Sequence, residues 1–190
     1  MIEKTYISAN QLLDDSFRLA EQVVQSGLRP THIVGIWRGG APVGIAVQEL
    51  LEFRGIHSDH ISIRTSSYTG IATQEHTVRV YGLSYLVNTV NPDDVLLVVD
   101  DVFDSGRSVQ AFINQLALKC RYNMPKTVKI ATVYYKPKRN VTELAPDFFV
   151  HEVDEWLVFP HELKGLTIDE IRKNKSSASI VLSHLGEKGE

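Results

Sequence analysis

Apolar residues along the 190-residue chain recur with two different periods. Leu13, Phe17, Ala20 and Val24 stand three or four apart, which predicts an amphipathic α-helix over residues 10–26 with Gly27 as its stop. Short apolar runs then alternate with helical patterns: strand 31–36, helix 42–53, strand 59–64, strand 95–99, helix 108–120, strand 128–134 and strand 148–153. This order predicts an α/β fold with a mainly parallel central sheet and helices on both faces. Residues 65–91 break the alternation. Val78, Val80, Leu83, Tyr85 and Val87 suit a hairpin or excursion better than a crossover helix, and Ser66-Ser67-Tyr68-Thr69-Gly70 has the composition of a mobile loop.

Composition narrows the picture. A hydrophobic content of 43% is enough to cover both faces of such a sheet, so a single domain is expected over residues 1–190, with 176–190 a loosely held tail. Twenty basic residues against 23 acidic ones, with no long basic run, argue against general nucleic-acid binding and point to a small charged partner. The single cysteine, Cys120, excludes an intramolecular disulfide framework and suits a reducing, cytoplasmic compartment, with the thiol packed rather than catalytic. The N-terminus has no apolar leader, and no stretch approaches the roughly 18 uninterrupted apolar residues of a membrane span, so no membrane partner is expected. His57 and His60 lack the companions that would complete a zinc site. Nucleophile-elbow, Walker-type and dinucleotide-binding motifs are absent too.

The chemistry concentrates in Val95-Leu96-Leu97-Val98-Val99-Asp100-Asp101-Val102-Phe103-Asp104-Ser105-Gly106-Arg107-Ser108. Five apolar residues make a buried strand, and the two acids then fall at its carboxyl end, where parallel-sheet proteins hold ligands. Ser105, Gly106 and Ser108 lead into a helix, whose N–H groups and dipole can surround a phosphate monoester. Asp-Ser-Gly alone would read as a turn with an N-cap. Strand, paired acids and helix together suggest a sugar phosphate whose hydroxyls need acceptors.

This segment resembles the phosphoribosyl pyrophosphate signature of the type I phosphoribosyltransferases. The resemblance implies that Asp100 and Asp101 hold the ribose hydroxyls, directly or through Mg²⁺, and that Asp104, Ser105, Gly106, Arg107 and Ser108 wrap the 5-phosphate. Asp104 would also sit beside the reacting nitrogen of the base and manage its proton. Ile33-Val34-Gly35-Ile36-Trp37-Arg38-Gly39-Gly40-Ala41-Pro42 is similar to the family's pyrophosphate loop, which in relatives can carry a non-proline cis peptide. There Arg38 would donate to pyrophosphate oxygens while Gly39 and Gly40 permit an unusual backbone. By itself, Arg-Gly-Gly could be only a strand-to-helix connection.

Ser66-Ser67-Tyr68 resembles the start of the loop that covers the reacting centre in hypoxanthine-guanine and xanthine-guanine members, which implies ligand contacts from Ser67 and Tyr68. Tyr134-Tyr135-Lys136-Pro137 and the stretch from Asp154 to Glu162 resemble the 6-oxopurine enzymes. That implies Lys136 donating to the purine 6-oxygen, Trp156 stacking on the ring and Leu157 reading its far edge. Without the resemblance, Lys136 reads as a surface lysine and Trp156 as a core or interface aromatic. Glu162 stands roughly where relatives have an acidic ligand for a second Mg²⁺, although Pro160-His161-Glu162 departs from the commoner forms.

The expectation is therefore Mg²⁺-dependent transfer of a ribose-5-phosphate unit from phosphoribosyl pyrophosphate to hypoxanthine, guanine or xanthine. A homo-oligomer, dimer or tetramer, is expected, with the helix at 10–26 and the C-terminal segment forming a base-side hood. Two rivals are a phosphoribosyltransferase-fold regulator of nucleic acid and an enzyme for another base. The first would need a basic face or an added DNA-binding helix pair, which the charge balance and the short N-terminus do not provide.

Overall fold

The computed structural model describes residues 4–69, 76–175 and 178. In chain order its elements are β1 (Lys4–Tyr6), α1 (Ala9–Gln25), β2 (His32–Trp37), α2 (Gly40–Phe53), β3 (Asp59–Thr69) and β4 (His76–Tyr81), followed by α3 (Ser84–Thr89) and β5 (Val95–Phe103). Then come α4 (Arg107–Cys120), β6 (Thr127–Tyr135), β7 (Phe148–Glu152), β8 (Trp156–Val158) and α5 (Ile168–Asn174). The chain forms two compact units, Leu13–Asp154 and Met1–Leu12 with Glu155–Glu190.

The larger unit is built on a six-stranded sheet of order β4-β3-β2-β5-β6-β7. Every neighbouring pair is parallel except β3 with β4. Leu96, Leu97, Val98 and Val99 of β5 are all buried, because a central parallel strand is covered on both faces. Val34, Ile36, Ile63, Phe112 and Leu116 join Leu96 and Val98 in one apolar cluster that also takes in Cys120. The Cys120 thiol is packed, and burial pushes its pKa up. From β2 the chain passes through α2 to β3 on one side, and from β5 through α4 to β6 on the other. That reversal opens a crevice at the carboxyl ends of β2 and β5, the usual ligand position in such sheets.

The α/β fold and its mainly parallel sheet match the sequence expectation, with several local corrections. On α1 the buried stripe is Leu19, Ala20 and Val23, while Leu13 and Phe17 are exposed. The predicted face is turned because Asp15, which looks like a solvent residue, is buried between His151 Nε2 at 2.8 Å and Arg18 Nη1 at 2.7 Å. β5 runs beyond Val99 through both acids, since Asp100 and Val102 still register with Thr132 and Tyr134 on β6. β3 likewise runs into the Ser-rich stretch, where pairing with β4 satisfies its backbone; the hairpin is present, and the proposed loop residue Gly70 lies outside the described residues. Leu83, Tyr85 and Val87 belong to the region of α3 instead, with Leu83, Leu86 and Val90 buried at helical spacing.

In the smaller unit β1 and β8 pair in parallel, Lys4 with Trp156 and Tyr6 with Val158. Neither three-residue strand is long enough to show a period. α5 is also new, although Thr167-Ile168-Asp169-Glu170 is a capping box in which Thr167 and Glu170 satisfy each other's backbone. Lys4 Nζ lies 2.6 Å from Glu170 Oε1 and, with the Thr167 backbone, holds that carboxyl at a pKa of about 2. Apart from Ala178, the predicted tail 176–190 lies outside the described residues. Among those residues no helix is long and apolar enough to cross a membrane.

Candidate functional site

β2 and β5 each end at this crevice and are each followed by a helix, so the amino termini of α2 and α4 lie at one edge of the sheet. The first N–H groups of a helix have no intrahelical acceptor, and Gly39 and Gly106, the two N-caps, offer no side chain to them. The donors at the start of α4 thus become available to anions, whereas at the start of α2 the Gly40 N–H reaches the Asp100 carboxylate and the Ala41 N–H donates to the Arg38 carbonyl at 3.2 Å.

The two loops are fitted to each other through missing side chains. A Cβ on Gly39 would overlap the carboxylate of Asp101, and one on Gly40 would overlap the Val99 carbonyl and approach the Asp100 Cα at 3.1 Å. The expected unusual backbone is not what these glycines supply. Gly39 has ordinary helical angles, φ −67° and ψ −31°, and close approach is its reason for lacking a side chain. The peptide between Trp37 and Arg38 is cis, and the Arg38 side chain is exposed at the same loop.

Asp100 and Asp101 form a mutually dependent pair. Asp101 is 7% exposed, its N–H donates to Asp100 Oδ1 at 3.0 Å, and its own Oδ1 accepts from the Val102 N–H at 2.8 Å. Burial, and then the neighbouring Asp101 charge, raise the Asp100 pKa well above the ordinary carboxylate range, against the pull of the Asp101 and Gly40 N–H groups. Such a pair gains from a hydroxyl donor or a hard cation. Among the described residues no group of three or more His, Cys, Asp or Glu side chains could hold a metal. Two adjacent carboxylates could serve a hard cation that takes one or two protein oxygens and draws the rest of its shell from ligand and water.

Beyond β5, Gly106 adopts φ +76°, which turns the chain into α4. A Cβ there would overlap Thr142 Oγ1 and lie 2.9 Å from Asn140 Oδ1. Asn140 Oδ1 accepts from both the N–H and the hydroxyl of Thr142, and the Val141 N–H donates to the Ser105 carbonyl at 3.2 Å. Ser105 and Ser108 are half-buried in this turn, whereas Arg107, the first helical residue, is exposed.

Asp104 lies between two cations. Arg139 Nε is 2.8 Å from Oδ1, and Lys136 Nζ is 3.7 Å from Oδ2. Lys136 is only 4% exposed, so the surface-lysine reading is wrong for this position. Its N–H donates to the Phe103 carbonyl at 3.0 Å, which anchors the residue beside the end of β5. A buried ammonium is costly unless paired, and Asp104 is the charge it faces.

The larger unit therefore brings together Arg38, Gly39, Asp100, Asp101, Asp104, Ser105, Gly106, Arg107, Ser108 and Lys136 at the carboxyl edge of β2, β5 and β6. Ser67 and Tyr68 are on β3, paired with Val78 and Thr77, and their side chains lie outside the described residues. Trp156 and Leu157 are on β8 of the smaller unit, the first half-exposed and the second buried. Glu162 Oε2 accepts from the Phe159 N–H at 3.0 Å, and Lys175 donates to the Phe159 carbonyl. A metal at Glu162 would compete with that backbone bond. Sequence reasoning missed Arg139, Asn140 and Thr142, whose only local signal is a turn-forming run directly after Lys136.

The phosphoribosyl transferase domain family model matches residues 5–165. A hypoxanthine-guanine phosphoribosyltransferase of Lactococcus lactis subsp. lactis (strain IL1403) is 28% identical over 149 residues, covering 77% of this chain and 75% of that protein. The hypoxanthine-guanine phosphoribosyltransferase of Streptococcus pyogenes serotype M3 (strain SSI-1) is 23% identical over 159 residues, 83% of each chain. Among solved structures, a purine phosphoribosyltransferase from Pyrococcus horikoshii Ot3 is 26% identical with a TM-score of 0.65, covering 86% of this chain and 97% of that one.

Proposed function

Because the chain belongs to the phosphoribosyl transferase domain family, we propose that it transfers 5-phosphoribosyl from phosphoribosyl pyrophosphate to a 6-oxopurine, with hypoxanthine, guanine or xanthine as acceptor. The observation that carries the acceptor class is the buried Lys136 beside Asp104. An ammonium is donor-only, so it matches a ring carbonyl and opposes the amino group of adenine.

In this reading the N–H groups of the Ser105–Ser108 turn hold the 5-phosphate, and Asp100 and Asp101 accept from the ribose hydroxyls. Arg38 and the backbone at Gly39 hold the pyrophosphate. Bound Mg²⁺ would supply charge neutralisation that makes pyrophosphate a better leaving group, with Asp101, and for a second ion Glu162, as its protein ligands. Lys136 orients the base and Asp104 takes its proton; the resemblance alone assigns Trp156 and Leu157 to base contacts and Ser67 and Tyr68 to the covering loop. Holding donor and acceptor in line lowers the entropic part of the barrier, so no protein nucleophile is needed. The whole chain would act as one phosphoribosyltransferase domain, in the cytoplasm, as a dimer or tetramer, in purine salvage.

Donor binding tests the site directly. Calorimetry should show phosphoribosyl pyrophosphate binding with Mg²⁺ and little without it, and Asp101→Ala should raise the Mg²⁺ concentration required. Equal binding and full turnover in excess chelator would remove the metal from this account.

A further inference from the structure

We propose that Arg139 is a positioning residue that fixes the Asp104 carboxylate so that Oδ2, and not Oδ1, receives the proton of the incoming base. This rests on the phosphoribosyl transfer proposed above. Arg139 Nε lies 2.8 Å from Asp104 Oδ1 in a close ion pair, whereas Lys136 Nζ stands 3.7 Å from Oδ2, beyond hydrogen-bond reach. One carboxylate oxygen is thus occupied and the other is available.

The backbone around the pair supports this role. The Lys136 N–H is tied to the Phe103 carbonyl on the near side of Asp104, and the Val141 N–H to the Ser105 carbonyl on the far side. Between them Pro137–Arg139 make a 3₁₀ turn, with the Arg139 N–H donating to the Lys136 carbonyl at 3.1 Å. Arg139 therefore projects from a short segment fastened on both flanks of the residue it holds. Its side chain is 51% exposed, and an ion pair that open contributes little to stability. Orientation is the contribution that remains.

Orientation matters more once the acceptor enters. If Lys136 turns to the purine 6-oxygen, it leaves Oδ2, and Arg139 becomes the cation that keeps Asp104 aligned. As the C–N bond forms at the anomeric carbon, the C–O bond to pyrophosphate breaks and its electron pair leaves on pyrophosphate. The N–H proton of the base then passes to Asp104 Oδ2. A carboxylate free to rotate would meet that proton in fewer encounters.

The test joins kinetics with a measurement that does not need turnover. In the full-length protein, Arg139→Gln should lower the single-turnover rate at least tenfold while phosphoribosyl pyrophosphate affinity stays within about twofold. Arg139→Lys should recover part of that loss. Asp104→Asn should be slow by about 10²–10⁴-fold, and adding Arg139→Gln to it should cost nothing more, because the arginine acts through the carboxylate. Additive losses, or an unchanged rate in Arg139→Gln, would overturn the inference. With ¹³C-labelled aspartate assigned through Asp104→Asn, the Asp104 Cγ resonance should move in Arg139→Gln and move less in Arg139→Lys. An unmoved resonance overturns the inference whatever the turnover. Wild-type protein that makes no nucleotide from any base would instead overturn the transfer reading, leaving the resonance to decide the role of Arg139.

Discussion

The backbone of Gly39 lies so close to the Asp101 carboxylate that the smallest side chain at position 39 would overlap it. This packs the loop after β2 against the acids of β5, so groups far apart in sequence share one rigid wall. Gly39→Ala must displace either the loop or Asp101. Overpacking of this kind costs about 1–3 kcal/mol. The donor KM should rise about tenfold or more, with the fold retained by circular dichroism. Donor affinity and Mg²⁺ dependence both unchanged in Gly39→Ala would show that the contact has no part in binding.

Lys136→Met keeps most of the buried volume and removes the ammonium. Catalytic efficiency with guanine, hypoxanthine and xanthine should fall by about 1.5–3 kcal/mol, roughly 10- to 150-fold, the usual worth of a charge-assisted hydrogen bond. Donor affinity should stay within a few-fold. Equal losses in donor binding and base use would point to a general structural role, contrary to the base-reading one.

Asp100 gives a stability prediction with a definite sign. Folding raises its pKa above the ordinary value of 3.8, so between that value and the raised one the folded chain binds the extra proton. Stability from this group is complete below about 3.8 and is lost as the pH rises through the folded value. Asp100→Asn imitates the protonated form. The variant should be more stable than wild type at pH 7, the gap closing toward pH 4, while its donor affinity falls. Thermal melts across that range check this, and a gap that widens toward low pH would reverse the sign argued here.

How much of this was legible depended on whether a signal was local. The segment from Val95 to Ser108 announced a buried strand, paired acids and a helix start within 14 residues, and all three are present, although β5 runs on through both acids to Phe103. Lys136 was harder, since burial of a lysine comes from the packing of β5 and β6 and leaves no mark on its neighbours in sequence. Arg139 was hidden for a related reason. Its partner lies 35 positions earlier, and an arginine in a polar turn looks like any other solvated one. The face of α1 was misjudged because Asp15 interrupts the apolar stripe, and one of its two partners, His151, lies 136 positions away on the edge strand β7.

Transfer to a 6-oxopurine can be tested by competition between bases. Guanine, hypoxanthine, xanthine, adenine and uracil at equal concentration are incubated with limiting phosphoribosyl pyrophosphate, Mg²⁺ and the protein, and the monophosphates formed are identified by mass spectrometry. Nucleotides of the 6-oxopurines should form, with one pyrophosphate per nucleotide and at most traces from adenine and uracil. Adenine or uracil nucleotide as the main product would contradict the acceptor assignment, and no nucleotide from a folded protein that binds the donor would contradict the transfer itself.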